Sequence, residues 1–298
     1  FVTSAAERGG WVGHILARLL PADALIRPTR IALCLRADNR LYGDVEAAGP
    51  FRFLFVGLDV PGAERFERLR AFAPDVLIAP TQVLADLARR TDKPWPLRRL
   101  FYGAEPMGDA ERGWITAALG VRPDPIYQAT EGFLGAPCRL GTLHLNEDVL
   151  IIEREPVSRT NRFLPIVTDL RRTTQLMIRV RLPDLLEPLA TPCPCGSPLT
   201  AVQPVEGRLE DLWRWPGAVI CPREVETAVS GALGPERDWR AVAAPRGVTV
   251  EADPDRVEAS RSAVAALLAA HGVTVPVTAG GRPAQDGVKR RRVRWSDG

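Results

Sequence analysis

The chain has 298 residues, of which 46% are hydrophobic and 25% charged, a balance that excludes a disordered or collagen-like polymer. Lys and Arg total 39 against 36 Asp and Glu, for a formal charge of +3, too even for a protein built around a concentrated nucleic-acid-binding face. Lys93 and Lys289 are the only lysines; every other basic side chain is an arginine.

Residues 5–20 place Trp11, Ile15, Leu16 and Leu19 at helical spacing, with Ser4 as N-cap. Short β-like runs follow at 31–35 and 51–56. Helix and strand then alternate: helices at 65–72, 83–89 and 109–119, strands at 76–79, 99–102 and 125–127. Such alternation implies βαβ units and a largely parallel sheet, whose ligands sit at the carboxyl ends of the strands. The loops that start at Gly103 and Gln128 therefore belong to the expected binding edge.

Between 142 and 205 the texture changes to short strand-like runs broken by turns, at 143–145, 149–153, 163–168, 176–181 and 199–205. This reads as an antiparallel, barrel-like segment. After Gly207-Arg208 a small α/β unit begins, with helices at 223–233 and 255–271 and strands at 241–244 and 248–251. The expected organisation is α/β: a large N-terminal domain, 1–206, with a mixed βαβ sheet and a β-rich segment, then a small C-terminal α/β lid, 207–298. No apolar run approaches the length of a membrane span, and no secretory signal is visible. A reducing cytoplasm is the expected compartment, and there clustered cysteines suggest metal before disulfides.

Three constellations carry chemistry. Tyr127-Gln128-Ala129-Thr130-Glu131-Gly132 follows an expected strand and offers an aromatic face, a hydroxyl and a carboxylate, which suit a base, a phosphate and a hard cation such as Mg²⁺. Tyr102-Gly103-Ala104-Glu105-Pro106 is a second turn on the same edge. Both also fit ordinary core tyrosines and a helix start. In Met177-Ile178-Arg179-Val180-Arg181-Leu182-Pro183-Asp184, strand alternation puts Arg179 and Arg181 on one face and Asp184 at the following turn, where a carboxylate can accept a ribose diol. A solvated strand face ending in a turn Asp gives the same pattern. Glu206-Gly207-Arg208-Leu209-Glu210-Asp211 fits a hinge and equally an ordinary linker.

In their order, Tyr-x-x-Thr-Glu, Ile-Arg-x-Arg-x-x-Asp and Gly-Arg-x-x-Asp resemble the adenylate-forming superfamily over roughly residues 102–292. The nearest resemblance is to its phenylacetate–CoA ligase-like branch, including adenylate-forming enzymes related to deazaflavin-coenzyme synthetases. The resemblance implies Gly103, Ala104, Glu105 and Tyr127 around adenine, Thr130 at the α-phosphate, Glu131 on Mg²⁺, Asp184 on the ribose hydroxyls and Arg208 beside ribose and phosphate. It also implies a C-terminal lid whose lysine, here Lys289 in Gly287-Val288-Lys289-Arg290-Arg291-Arg292, approaches the acyl carboxylate and α-phosphate. An ammonium there would offset the negative charge that builds during adenylation. A solvated basic tail reads the same way, since five of the six residues from 289 to 294 are basic. The sequence departs from the family in four respects. Glu210 stands at a hinge position usually Asp or Lys, and Val180 and Pro183 replace aromatic and small polar residues. Family members also carry a Ser/Thr/Gly-rich phosphate loop; Phe1-Val2-Thr3-Ser4 resembles the segment just downstream of it, so the chain reads as N-terminally truncated and without that loop.

The cysteines give a further signal. Cys138 and His144 bracket a Gly141 turn, and Cys193-Pro194-Cys195-Gly196 forms a knuckle. Three sulfurs and an imidazole make the closed ligand set of structural zinc, and some members of the resembled branch carry a comparable set. Free cysteines packed as small hydrophobes are the alternative. Cys34 and Cys221 read as packing residues. The resulting expectation is an enzyme that adenylates a small carboxylic acid with ATP and Mg²⁺ and passes the acyl group to CoA or another thiol or amine acceptor. Neither nucleic acid nor membrane is an expected partner. A zinc-stabilised module that binds a nucleotide or partner without catalysis is the alternative.

Overall fold

A computed structural model describes residues 2–35, 50–90, 95–283 and 290–297. The chain opens with helix α1 (Ala5–Leu19), which starts where expected because Ser4 and Glu7 form a reciprocal capping box. Its buried stripe of Val12, Ile15 and Leu19 belongs to a core shared with Ile31, Leu33, Phe101 and Phe133. Strands β1 (Thr29–Leu35) and β2 (Phe51–Gly57) follow, then α2 (Gly62–Phe72), β3 (Val76–Ala79), α3 (Thr81–Ala88), β4 (Arg99–Tyr102), α4 (Asp109–Leu119) and β5 (Pro123–Pro125). The five strands form one sheet in the order β2-β1-β3-β4-β5, with every pairing parallel. Each residue of β3, Val-Leu-Ile-Ala, is buried, as a parallel strand covered on both faces requires.

The segment expected as one strand at 125–127 is two. The chain leaves the parallel sheet at Pro125 and enters a second sheet at Tyr127, pivoting on Ile126, whose N–H donates to the Tyr102 carbonyl at 2.8 Å. β6 (Tyr127–Ala129) and β7 (Gly132–Pro137) form a hairpin around Thr130-Glu131. They join β8 (Leu143–Leu145) and β12 (Ala201–Val202) in the order β12-β8-β7-β6. A three-stranded antiparallel sheet packs nearby, β11 (Met177–Arg181)-β10 (Phe163–Asp169)-β9 (Ile151–Pro156). The strand expected at 199–205 shrinks to the two residues of β12.

From Trp213 onward the chain builds a core of its own around Trp213, Val225, Val229, Trp239, Val250 and Val264. The hairpin β13 (Trp213–Trp215)–β14 (Ala218–Ile220) leads to α5 (Pro222–Leu233). β15 (Trp239–Ala244), β16 (Gly247–Ala252), α6 (Val257–Ala270), β17 (Val277–Gly280) and β18 (Val293–Trp295) complete it, with the sheet order β17-β16-β15-β18. Among the described residues no helix is long and apolar enough to cross a membrane.

Candidate active site

The carboxyl ends of β4 and β5 open into a cavity of about 480 Å³ lined by the 102–106 loop, the β6–β7 hairpin, residues 182–184 and 204–208, and Arg290 to Val293. Gly103, Ala104, Glu105, Tyr127, Thr130, Glu131, Asp184 and Arg208 all line it. Lys289 lies outside the described residues.

Three of these side chains, from segments far apart in sequence, meet directly. The Tyr127 hydroxyl donates to Asp184 Oδ2 at 2.9 Å, and Asp184 Oδ1 lies 3.9 Å from Arg208 Nε. The backbone makes the second meeting obligatory: Asp184 and Arg208 form an antiparallel bridge, flanked by Leu185 N–H to the Gly207 carbonyl and Leu209 N–H to the Pro183 carbonyl. Pro183, which cannot donate, serves here as an acceptor. The Tyr127 ring is buried among the apolar residues of the second sheet; burial, and then the adjacent Asp184 charge, push its phenol well above the usual range. Arg208 is half exposed and loosely held, also 3.9 Å from Glu210.

Thr130 and Glu131 occupy the two-residue hairpin tip, Thr130 exposed and Glu131 half-buried. Arg172 donates to the Glu131 carbonyl at 3.0 Å and so fixes the tip from behind. Gly103 is required by close approach: a Cβ there would sit 2.9 Å from Ile126 Cγ1. Ala104 adopts a left-handed conformation, φ 67°, which turns the loop back over the cavity. Glu105 spends its carboxylate inside the protein. Oε2 accepts the Gln82 N–H at the α3 N-terminus (2.9 Å) and Oε1 accepts the Arg290 N–H (2.7 Å). Arg179 and Arg181, by contrast, pair with Glu153 and Glu155 on an exposed strand face, away from the cavity lining.

The C-terminal arginines were legible only as a basic run; the structure folds them into the site wall. Arg291 pairs with Asp211 and, at 2.8 Å, with Glu210. Arg290 and Arg292 converge on Glu111 in the first turn of α4. No local sequence signal marks Glu111 or Glu226 as their partners, because the pairing depends on which helices the fold brings together.

A second cluster lies at the far end of β7 and β8. Cys138, His144, Cys193 and Cys195 bring their ligand atoms within 4.8 Å of one another. Cys138 Sγ and Cys193 Sγ are 3.9 Å apart, and Cys195 Sγ lies 3.5 Å from His144 Nε2. Zn–S bonds of ~2.3 Å and Zn–N bonds of ~2.0 Å give tetrahedral edges of roughly 3.5–3.8 Å, which those two separations approach. His144 Nδ1 is 2.9 Å from the Leu199 carbonyl, which fixes the ring with Nε2 facing the sulfurs. Gly196, φ 80°, turns the knuckle, and its N–H donates to the Cys193 carbonyl. The Thr142 hydroxyl, followed by the Cys195 backbone N–H, holds the Cys193 thiol down to about 6. Burial instead pushes Cys34 and Cys221 up to about 12, as inert packing thiols.

No family model and no curated protein matches the sequence. Solved structures do match the fold. A 2-hydroxyisobutyryl-CoA ligase, in its postadenylation state with an acyl-AMP, superposes with a TM-score of 0.75 at 19% identity, over 98% of this chain and 70% of that one. The fold is that of the adenylate-forming ligases. The same ligase in an open conformation with acyl-AMP and CoA gives 0.56 at 20% identity, over 91% of this chain and 67% of that one. The amide bond synthetase McbA from Marinactinospora thermotolerans gives 0.63 at 14% identity, over 92% of this chain and 62% of that one. The two conformations of the one ligase separate clearly, and the arrangement of this chain follows the postadenylation one.

Proposed function

We propose that this chain adenylates a carboxylic acid with ATP and then transfers the acyl group to the thiol of CoA. The observation that carries the reading is the convergence of Tyr127, Asp184 and Arg208 on a single cavity, with Thr130 and Glu131 at its lip, in a fold shared with enzymes solved as acyl-AMP complexes. The order of the three motifs argues for the phenylacetate–CoA ligase-like branch, and the five unpaired cysteines suit a reducing cytoplasm.

In this reading Asp184 accepts the ribose hydroxyls, and Tyr127 holds that carboxylate in place. Gly103 and Ala104 lie along the adenine. Thr130 donates to the α-phosphate and Glu131 holds Mg²⁺, which bound with the nucleotide would neutralise phosphate charge. The substrate carboxylate attacks the α-phosphorus, pyrophosphate leaves, and Arg208 and Lys289 stabilise the charge on the transferring phosphoryl group. The thiol sulfur then attacks the acyl carbonyl, the thioester bond forms and AMP leaves. We assign the region from Gly207 onward as a lid and the Cys138–His144–Cys193–Cys195 cluster as a structural zinc site, closed to substrate because all four positions are protein ligands.

Pyrophosphate exchange tests the reading. With a panel of small carboxylic acids, at least one should support acid-dependent exchange, and K289A should reduce it by roughly 100-fold. Absence of exchange with every acid, together with no AMP binding, would overturn it.

A further inference from the structure

The segment from Arg290 to Arg292 joins the two halves of the molecule by an ionic contact that is almost wholly buried. Arg292 belongs to the C-terminal core, since its carbonyl accepts the Ala241 N–H at 2.7 Å where β18 meets β15, and its guanidinium lies over the Trp239 ring. Its fork grips Glu111 of α4 on both oxygens, Nη1 to Oε2 at 2.9 Å and Nη2 to Oε1 at 3.1 Å. Arg290 Nη2 reaches the same Glu111 Oε1 at 2.8 Å, while its backbone N–H donates to Glu105. The Glu111 side chain is 2% exposed and that of Arg292 9%. Glu105 belongs to the 102–106 loop that lines the cavity, and Glu111 lies in the first turn of the helix that follows it.

A planar, bidentate, desolvated pair of this kind is directional: it holds in one relative placement of the two halves and is lost when they rotate. The placement in which it forms is the postadenylation-like one, in which the chain superposes on the acyl-AMP ligase. We propose that Glu111 is a positioning residue, the keeper of a latch in which Arg290 and Arg292 hold the C-terminal unit over the cavity for the first half-reaction. The latch must open before the second. Glu111 touches no reacting atom. It acts by keeping the 290–292 segment in register with the 103–105 loop, which the Arg290 N–H meets at Glu105. The kinetic part of this inference rests on the adenylation reading above; the conformational part does not.

The test uses the whole protein and separates the two parts. Small-angle scattering of the wild type without ligand should fit the compact arrangement, and E111Q should shift the profile toward a more extended one. R292K, which keeps the charge and loses the fork, should shift it the same way by less. In pyrophosphate exchange E111Q should lose roughly tenfold or more, while CoA thioester formation from supplied acyl-AMP stays within twofold of wild type or rises. Unchanged scattering in both variants would overturn the latch. So would an equal loss in both half-reactions, which marks a merely structural pair. If E111Q does not fold, R292K, which keeps the charge and opens the fork, carries the same comparison in both half-reactions. A wild type with no exchange under any condition would sink the functional reading, and the scattering comparison would still decide the latch.

Discussion

The Tyr127 hydroxyl donates to Asp184 across 57 residues of sequence, at 2.9 Å. It ties the first strand of one sheet to the turn that follows another, so the Asp184 carboxylate is aimed before any ligand arrives. A hydrogen bond to a charged acceptor in a buried setting contributes about 1.5–3 kcal/mol. Y127F should therefore lower the unfolding free energy by about 1–2 kcal/mol in denaturant titration. It should also weaken AMP binding by roughly tenfold in calorimetry, because Asp184 loses the hydrogen bond that aims its Oδ2. D184N should leave stability closer to wild type and weaken AMP more.

Metal content checks the cysteine cluster. Purified protein should carry about one zinc per chain by elemental analysis. C193S/C195S should bind none and melt more than 10 °C lower, since a structural site contributes its binding free energy to folding. Metal-free protein that melts at the wild-type temperature would exclude the site.

Gly135 is the contact point between the two ends of this region. A Cβ there would meet the His144 carbonyl at 2.9 Å and Tyr127 Cβ at 3.3 Å. G135A forces β7 away from β8 and should cost about 1–3 kcal/mol, the range for overpacking. Because Tyr127 is one of the displaced neighbours, AMP affinity should fall with it, measurable in the same titration.

Glu226 offers a pH signature. Burial pushes its carboxyl above the usual range, against which Arg292, 3.6 Å away, acts only in part; Glu111, Arg223 and Arg290 also face it. A carboxyl with a raised folded-state pKa favours folding below its unfolded value near 4.3, and that contribution is lost as pH rises through the folded value. E226Q removes the loss. It should melt above wild type at pH 8, by roughly 2–4 °C for each kcal/mol recovered, and the gap should narrow toward pH 5.

Much of this was legible in the sequence. Helix α4 and strands β3, β4 and β8 have the expected bounds, because hydrophobic period and turn residues agree there. The α1 start follows from Ser4 and Glu7. β7 was not legible: Gly-Phe-Leu-Gly-Ala-Pro carries no clear strand alternation, yet it is a strand in which Gly135 lets two backbones approach. The motif residues were legible as separate turns, and their meeting in one cavity was not, since the Asp184–Arg208 bridge is a tertiary pairing. The cysteine cluster was the most legible of all, because thiols and an imidazole have few other reasons to recur around glycine turns. The partners of Arg290, Arg291 and Arg292 were hidden for the opposite reason: a run of arginines looks the same whether it faces solvent or a buried carboxylate.

One strand separates the hairpin tip that carries Glu131 from Cys138. The six residues of β7 span about 20 Å and run from the mouth of the cavity to the cysteine–histidine cluster. A rod anchored at one end transmits tilt to the other. The cluster thus marks the far end of the strand whose near end begins at the Thr130-Glu131 tip.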